Sequence, residues 1–297
     1  MPASSLSERN ARILLSHLTE PGDLYAGKML ELMTASELVD LIVAGVEVGR
    51  TEEWSKFLER TRLRYHESAV RDILTECEVK DITIITRTDP EWPTSIKDLG
   101  PAAPHVLYVK GKLNWPKPNS VAIVGARAAT SYGEHVAMEL AADLARDHTI
   151  ISGAAYGIDG AAHRAALAAG GETIAFLAGG ADRPYPAGHA QLISRITENG
   201  AVVSEVPPGA SPTKWRFLQR NRLIAAASQG TVIVEAGWRS GSLNTAGHAR
   251  SIGRPVGAVP GPITSAASAG CNKLIAESEA SLITSATDVR NLIDSTK

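Results

Sequence analysis

The stretch that decides the fold begins with VAIVGAR at residues 121–127. A polar link and a predicted helix at residues 131–147 follow, and then comes TIISGAAYGIDG at residues 149–160. Each half is a short apolar run rich in β-branched residues, and each run ends at a glycine, Gly125 or Gly153. Such a run without alternation is typical of a strand buried on both faces. A glycine directly after it permits a tight turn and the close approach of a ligand. The repeat predicts strand, glycine turn and helix, twice over.

The same alternation continues to residue 259. Strands are predicted at residues 121–125, 149–152, 172–177, 201–204, 231–235 and 256–259, with helices between them at residues 131–147, 158–170, 188–199, 215–228 and 241–252. Two further short strands precede them, at residues 82–86 and 106–111. Strands alternating with helices of this length predict an α/β fold with a Rossmann-like, doubly wound and mostly parallel sheet.

The first 80 residues have a different pattern and are predicted to form a small helical domain before a Rossmann-like domain at residues 81–297. Thr34 and Glu37 fit a capping box, and the helix that they begin is expected to stop at Gly45. A longer helical stretch is predicted at residues 51–78. Residues 115–119, WPKPN, indicate an extended connector into the main sheet.

Composition is that of an ordinary globular protein, with 297 residues, 44% hydrophobic and 21% charged. No apolar run approaches the roughly 20 residues of a membrane helix, and the N-terminus has no signal-peptide profile. We therefore expect a cytoplasmic protein that does not engage a membrane. Cys77 and Cys271 lie far apart without metal-ligand spacing, so we expect buried or inert thiols. No cofactor is predicted.

Charge is distributed unevenly although the formal net charge is only −2. Between residues 206 and 276 the only acidic residue is Glu235, whereas the basic residues there are Lys214, Arg216, Arg220, Arg222, Arg239, Arg250, Arg254 and Lys273. A nearly neutral protein with one basic region can bind a polyanion through that region. The alternative is a solvated basic face, or one that packs against the first 80 residues.

The ends of the predicted strands indicate where a ligand binds, because ligands of open parallel sheets lie at the carboxyl ends of the strands. Almost every such end has small or hydroxyl residues, which predicts a crevice lined by backbone N–H and hydroxyl donors for a phosphate-bearing ligand. The candidates from these ends are Gly125, Arg127, Ser152, Gly153, Tyr156, Gly157, Arg183, Ser240, Gly241 and Ser242.

A second group of candidates lies on the helix predicted at residues 215–228 and just before it. Its members are Lys214, Arg220, Asn221 and Arg222. Guanidinium forks match phosphate geometry, and aromatic residues among basic ones suit single-stranded nucleic acid, whose bases stack while its phosphates pair. Tyr156 is the favoured stacking residue, whereas core packing is favoured for Phe217.

Catalytic sites are not indicated. Asp159 and His163 are four residues apart, but no second histidine follows, so a metal site is disfavoured and Asp159 is expected to cap the helix or order the loop. Glu205 and Glu235 could form a carboxylate pair. No G-x-G-x-x-G sequence follows the first strand and no Walker A sequence occurs. A nicotinamide enzyme or a P-loop ATPase is therefore disfavoured.

Taken together, the motifs resemble the DNA-processing protein A family (DprA, also called Smf). The matching segments, in family order and spacing, are VAIVGAR at 121–127, SGAAYGID at 152–159, YP at 185–186, SE at 204–205, RNR at 220–222, EA at 235–236, SGSL at 240–243, PG at 260–261 and NKLI at 272–275. The likeness runs from about residue 83 to residue 283. The helical first 80 residues resemble the sterile-alpha-motif-like domain of many members.

This resemblance implies a non-catalytic Rossmann-like core that binds single-stranded DNA, forms a homodimer and loads the RecA recombinase during natural transformation. It implies that Arg127 lies in the DNA pocket, with Gly153, Gly157, Arg220, Asn221, Arg222, Ser240, Gly241 and Ser242 around it. Members often have Lys or Arg at the position of Tyr156 and a basic residue at that of Ala187, for which Arg183 is the candidate substitute. Many members also continue into a C-terminal winged helix, and since this sequence stops soon after Ile283 we expect that domain to be absent or to have been cut away.

Two alternatives remain open. Gly230, Thr231 and Glu235 weakly resemble nucleotide-processing phosphoribohydrolases, but the Pro-Gly-Gly-x-Gly-Thr run of those enzymes is missing. Release of free base from a nucleoside monophosphate would support that enzyme. The other alternative is a non-catalytic scaffold that senses a nucleotide, which tight binding of a mononucleotide without binding of oligonucleotides would support.

Overall fold

A computed structural model describes residues 6–46, 51–112 and 119–295 of the chain. Its helices are α1 (Glu8–Leu18), α2 (Leu24–Leu32), α3 (Ala35–Ala44), α4 (Glu52–Arg62), α5 (Ala69–Val79), α6 (Ser131–Leu144), α7 (Ile158–Ala168), α8 (Ala190–Asn199), α9 (Lys214–Ala227), α10 (Gly241–Ser251), α11 (Ala269–Ala276) and α12 (Ala286–Asp294). Its strands are β1 (Thr83–Thr86), β2 (Val106–Gly111), β3 (Ser120–Val124), β4 (Thr149–Ser152), β5 (Thr173–Phe176), β6 (Ala201–Ser204), β7 (Gly230–Ile233), β8 (Val256–Ala258) and β9 (Ser281–Leu282).

The nine described strands form one sheet in the order β1-β2-β6-β5-β4-β3-β7-β8-β9. The seven from β6 to β9 in this order run parallel, whereas β2 is antiparallel to β1 and β6. From β3 the chain first builds the sheet outward through β4, β5 and β6, and then returns to the other side of β3 with β7. This reversal between β3 and β7 is the switch point at which doubly wound sheets bind ligands. The predicted fold class is confirmed.

Alternation along β3 shows why the sheet needs helices on both faces. Val121 and Ile123 pack into a core with α6, α7 and α12. Ala122 and Val124 point the other way, into a core with α9, α10 and α11. Successive residues of a strand face opposite sides of the sheet. An uninterrupted apolar run such as β3 therefore needs helices on both faces of the sheet to be buried.

The first helices have a core of their own, which includes Trp54 and Phe57. The capping box at Thr34 and the left-handed stop at Gly45 are confirmed. The single helical stretch predicted at residues 51–78 is wrong: α4 ends at Arg62 and α5 begins at Ala69. The residues between the two helices include no glycine or proline, so the sequence has no helix-breaking residue that would predict the break.

Helix α1 also packs on the sheet, since Ile13 shares a core with Tyr108 and Val202. The division into domains near residue 80 stays a prediction. Residues 115–118 of the predicted connector lie outside the described part of the chain, and the sequence analysis did not anticipate β9, α11 or α12.

Candidate functional site

A cavity of about 970 Å³ opens at the switch point, where β3 and β7 end. Its walls are the β3–α6 turn, the side of α9 that faces the cavity, and the segment that leads from β7 into α10. The sequence-predicted site residues that line it are Gly125, Arg127, Lys214, Arg220, Asn221, Ser240, Gly241 and Ser242. We call this cavity the crevice.

The β3–α6 turn presents Arg127 at the crevice. Gly125 is required before it, because a Cβ there would lie 2.6 Å from the Ile158 side chain and 2.9 Å from the carbonyl oxygen of Glu235. Arg127 is exposed, and its guanidinium lies 4.8 Å from the ring centroid of Phe217. A cation over an aromatic face is held in orientation without losing its charge. The turn therefore offers an oriented cation to an incoming anion.

Glu235 fixes the start of α6 just behind this turn. Its carboxylate accepts hydrogen bonds from the Thr130 backbone N–H at 2.9 Å and from the Thr130 hydroxyl at 2.6 Å. Only 2% of Glu235 is exposed. A Cβ on Gly133 would lie 2.2 Å from the carboxylate, so the first turn of α6 packs directly on it. Glu235 is thus a structural residue of the crevice wall.

Asp159 joins the two glycine turns that the sequence placed side by side. Its buried carboxylate accepts from the backbone N–H of Gly153 at 3.1 Å, and the backbone amides of Gly125 and Ala155 also favour its charged form. Burial raises the pKa of Asp159, against the opposing effects of Arg220 and these amides. The expected loop-ordering role is confirmed. The amide of Gly153 therefore already has a partner within the protein.

Arg220 lies beneath the β4–α7 loop. One guanidinium nitrogen donates to the carbonyl oxygens of Gly153, at 2.7 Å, and Phe176, while the Nε atom has no partner among the described residues. A Cβ on Gly153 would lie 2.0 Å from this guanidinium. Burial lowers the pKa of Arg220 to about 10, against the opposing charge of Asp159, so the side chain remains a cation at neutral pH.

Asn221 connects α9 to α10 across the crevice floor. Its side-chain amide donates to the Gly241 carbonyl and to the Asn244 side chain, both at 3.2 Å. Ser240 caps α10, with its hydroxyl accepting from the Ser242 backbone N–H at 3.4 Å. The free amides of a helix N-terminus and its dipole favour an anion. This end of α10 lines the crevice as predicted.

Phe217 was expected to pack in the core, and this expectation is wrong. The ring lines the crevice, with Arg127 over it and Tyr185 at 5.4 Å between ring centroids. The rotation of α9 about its axis decides which side of the helix is buried, and the mixed sequence of α9 does not fix that rotation. Arg239 also lines the crevice, although it was noted only as part of the basic segment.

Arg222 was predicted to join Arg220 at the site, but it does not. It is 2% exposed and makes a two-pronged ion pair with Glu205, both bonds 2.6 Å long. Its Nε atom donates to the Ala102 carbonyl at 2.9 Å. Residues two apart on a helix point about 200° apart, so Arg220 and Arg222 cannot share a face. Arg222 connects α9 to the chain before β2.

The remaining predicted site residues lie around the crevice without lining it. The Ser152 hydroxyl donates to the Ile123 carbonyl at 2.7 Å and is fully buried. Gly157 has φ +70 and packs against the backbone of residues 126–127. Tyr156 is 47% exposed and packs edge-on against the ring of His189, and Arg183 donates to the Gly209 carbonyl and the Ser211 hydroxyl.

Charge in the crevice is strongly positive. Among its described lining residues there are four cations, Arg127, Lys214, Arg220 and Arg239, and one carboxylate, Asp159. A cleft whose walls have charges of one sign concentrates the electric field inside it and attracts ligands of the opposite charge. The arrangement suits a polyanion.

The candidate catalytic groups are all engaged in structural contacts. His163 accepts from the Ala154 N–H through Nε2 and contacts Thr173 through Nδ1. Glu205 and Glu235 are held by Arg222 and Thr130 respectively, so they do not act as a pair. Within residues 6–46, 51–112 and 119–295 no three His, Cys, Asp or Glu side chains gather to hold a metal.

The two cysteines and the lengths of the helices were also subjects of prediction. Cys77 and Cys271 are buried free thiols, and burial raises the pKa of Cys271 to about 12. Across the described segments, every helix is too short or too polar to span a bilayer.

Fold and site together define a Rossmann-like protein with a cationic, phosphate-suited crevice at its switch point. The profile of the DNA recombination-mediator protein A family matches residues 83–294. The chain belongs to this family.

Relatives agree with this assignment. A DprA homologue of Mycobacterium tuberculosis is 44% identical over 288 residues, which are 93% of this chain and 72% of the relative. The crystal structure of DNA processing protein A from Streptococcus pneumoniae superposes with a TM-score of 0.79 at 32% identity, covering 96% of this chain and 98% of that one. DNA processing protein A from Helicobacter pylori, known for its single-stranded DNA binding mode, superposes with a TM-score of 0.64 at 30% identity, covering 73% and 96%.

Proposed function

We propose that this protein binds single-stranded DNA, with the sugar–phosphate backbone lying in the crevice. The observation that supports this best is Arg127, an exposed guanidinium stacked on Phe217, for which the described residues supply no carboxylate. Arg220, Lys214 and Arg239 add charge behind and beside it. The Helicobacter pylori relative, which binds single-stranded DNA, supports the same assignment.

Flexible single strands fit this geometry better than a duplex. The cavity of about 970 Å³ lies where β3 and β7 end, and Phe217 offers an aromatic face within it. A single strand can turn its bases onto such a face while its phosphates meet the arginines. A duplex keeps its bases stacked inside and can offer only its backbone.

The proposal is tested by titrating oligonucleotide affinity against salt for the wild type and Arg127→Ala. Loss of a charge-assisted contact should weaken binding about ten- to a hundredfold, equally for different sequences. Arg146→Ala is the matched control, because its exposed side chain follows α6 at the opposite end of the sheet. Equal affinity of Arg127→Ala and wild type would exclude the crevice as the DNA site.

We also propose an oligomeric state, a protein partner and a cellular process for this protein. The family assignment supports a cytoplasmic homodimer that loads RecA onto single-stranded DNA during natural transformation. Two measurements test it: light scattering for the dimer, and the rate of RecA assembly on DNA coated with single-strand-binding protein. Unchanged RecA assembly in the presence of the protein would contradict the loading role.

We propose a binding role without catalysis for the crevice. Glu235 and Asp159 already accept hydrogen bonds from Thr130 and from the glycine turns, which leaves neither carboxylate free to act as a base. Incubation with nucleoside monophosphates should therefore release no free base. Release that depends on Glu235 would establish the phosphoribohydrolase-like enzyme instead.

A further inference from the structure

Trp238 is a large exposed aromatic side chain that the site described above does not use. It is 66% exposed and lies in the segment between β7 and α10. Its neighbours Gly237, Arg239 and Ser240 all line the crevice. Trp238 itself does not line the crevice, but the residues on both sides of it do, which places it at the crevice rim.

The segment that bears Trp238 is held firmly. The backbone N–H of Gly270, at the start of α11, donates to the Ala236 carbonyl at 2.7 Å. A Cβ on Gly270 would lie 2.7 Å from that same carbonyl oxygen, so the two segments are in close backbone contact. A side chain on such a support can bind with little loss of conformational entropy.

Lys273 of α11 adds a cation to this aromatic residue. Its ammonium lies 5.7 Å from the Trp238 ring centroid and 3.7 Å from the carboxylate of Glu277, and both of these charged side chains are about half exposed. An ion pair so open to solvent is weak, so a phosphate can replace Glu277 as the partner of Lys273. Asn272, the preceding residue, exchanges two hydrogen bonds with the backbone of Gly261 and so anchors α11 beside the loop after β8. The ammonium lies near the ring, but most of the indole remains exposed to solvent.

The same combination occurs inside the crevice, where Arg127 lies over Phe217. The crevice thus has one aromatic ring with a cation beside it among its lining residues and a second such pair next to them. Base–aromatic stacking next to a phosphate-binding cation is how proteins hold single strands without reading sequence. The pair at Phe217 lies inside the crevice and the pair at Trp238 lies at its rim.

We propose that Trp238 is a second base-stacking site, with Lys273 contacting a neighbouring phosphate, so that a single strand crosses the switch point from α9 to α11. The ligand is an unpaired nucleobase of any identity. This inference rests on the proposed function, since it extends the DNA path beyond the crevice. It also adds to the preference for single strands, because a base inside a duplex cannot reach the indole.

The test measures the affinity of Trp238→Ala and Trp238→Phe for oligothymidylates at several salt concentrations. Loss of one stacked base should weaken binding by Trp238→Ala about five- to a hundredfold, without changing the salt slope, because no phosphate contact is removed. Trp238→Phe keeps an aromatic face and should recover most of the affinity. Lys273→Gln should instead make the slope shallower by about 0.7.

Leu32→Ala is the matched control, since it removes another exposed apolar side chain, 79% exposed, from the helical N-terminal region. Circular dichroism on each variant shows that the fold is retained. An oligonucleotide with abasic sites throughout should bind wild type and Trp238→Ala equally, because no base is present to stack.

The outcomes separate this inference from the proposed function. If wild type binds single strands, Arg127→Ala binds weakly and Trp238→Ala binds like wild type, the stacking site is overturned while the crevice assignment stands. A shallower salt slope in Trp238→Ala would also overturn stacking, because the tryptophan would then only support a phosphate contact. Absence of wild-type binding to any oligonucleotide would refute the proposed function itself.

Discussion

Arg127 and Arg222 are the same type of residue and were predicted to serve the same site, but they occupy opposite environments. Arg127 is exposed at the crevice and stacks on Phe217. Arg222 is 2% exposed and its guanidinium is held by the carboxylate of Glu205. The comparison teaches that the partner of a guanidinium, rather than its presence in a basic segment, decides whether it can bind a ligand.

Several cations of the basic segment are neutralised by acids from elsewhere in the sequence. Arg216 pairs with Glu20, Arg250 with Glu279 and Arg254 with Asp98, and the half-exposed Lys273 lies 3.7 Å from Glu277. Four others, those that line the crevice, share one carboxylate among the described residues. The basic segment therefore divides into a ligand-binding part and a structural part.

The largest effect is expected at Arg222. Arg222→Ala leaves the buried carboxylate of Glu205 without its partner, which should destabilise the protein by about 3–5 kcal/mol in urea unfolding. The molecules that remain folded should bind DNA like wild type. The double variant Arg222→Met with Glu205→Leu should be less destabilised than Arg222→Ala, because it removes both charges. Unchanged stability with lost DNA binding would contradict the structural role.

An intermediate effect is expected when the pH is lowered, because of the buried His163 of α7. His163 is fully buried, and burial lowers its pKa to about 3 from an ordinary 6.5. Because Nε2 accepts a hydrogen bond from the Ala154 N–H, the neutral ring is the form that fits. The folded state therefore favours deprotonation, and this contribution is complete above pH 6.5 and is lost as the pH falls from 6.5 toward 3.

Urea unfolding between pH 6 and pH 4 measures this contribution. The free energy of unfolding should fall by about 1.4 kcal/mol per pH unit from His163 alone. His163→Gln should have a slope shallower by that amount, whereas the exposed His135→Gln should keep the wild-type slope. The same slope in His163→Gln and wild type would show that His163 is not neutral in the fold.

The smallest effect is expected at Arg216. Its ion pair with Glu20, at 3.0 Å, links α9 to the helical N-terminal region, and Arg64 also holds that carboxylate. Both side chains are partly solvated, so Arg216→Ala should cost only about 0.2–1 kcal/mol in thermal or urea unfolding. A loss as large as that of Arg222→Ala would remove the distinction between buried and solvated arginines.

The sheet could be predicted because its signals are local. Apolar runs such as residues 121–124 and the glycines after them fix strands and turns within a few residues. The contacts of Arg222 and Phe217 could not be predicted in the same way, because they depend on how α9 rotates against the sheet. The pairing of Arg216 with Glu20 joins residues almost two hundred positions apart, and no sequence pattern indicates it.

We propose that single-stranded DNA contacts Arg127 through phosphate, whereas Arg222 only stabilises the fold. The most direct test is the slope of the logarithm of affinity against the logarithm of salt concentration for wild type, Arg127→Ala and folded Arg222→Ala. We predict a slope shallower by about 0.7 for Arg127→Ala, as one lost phosphate contact requires, and the wild-type slope for Arg222→Ala. A wild-type slope for Arg127→Ala, with a shallower one for Arg222→Ala, would contradict the account.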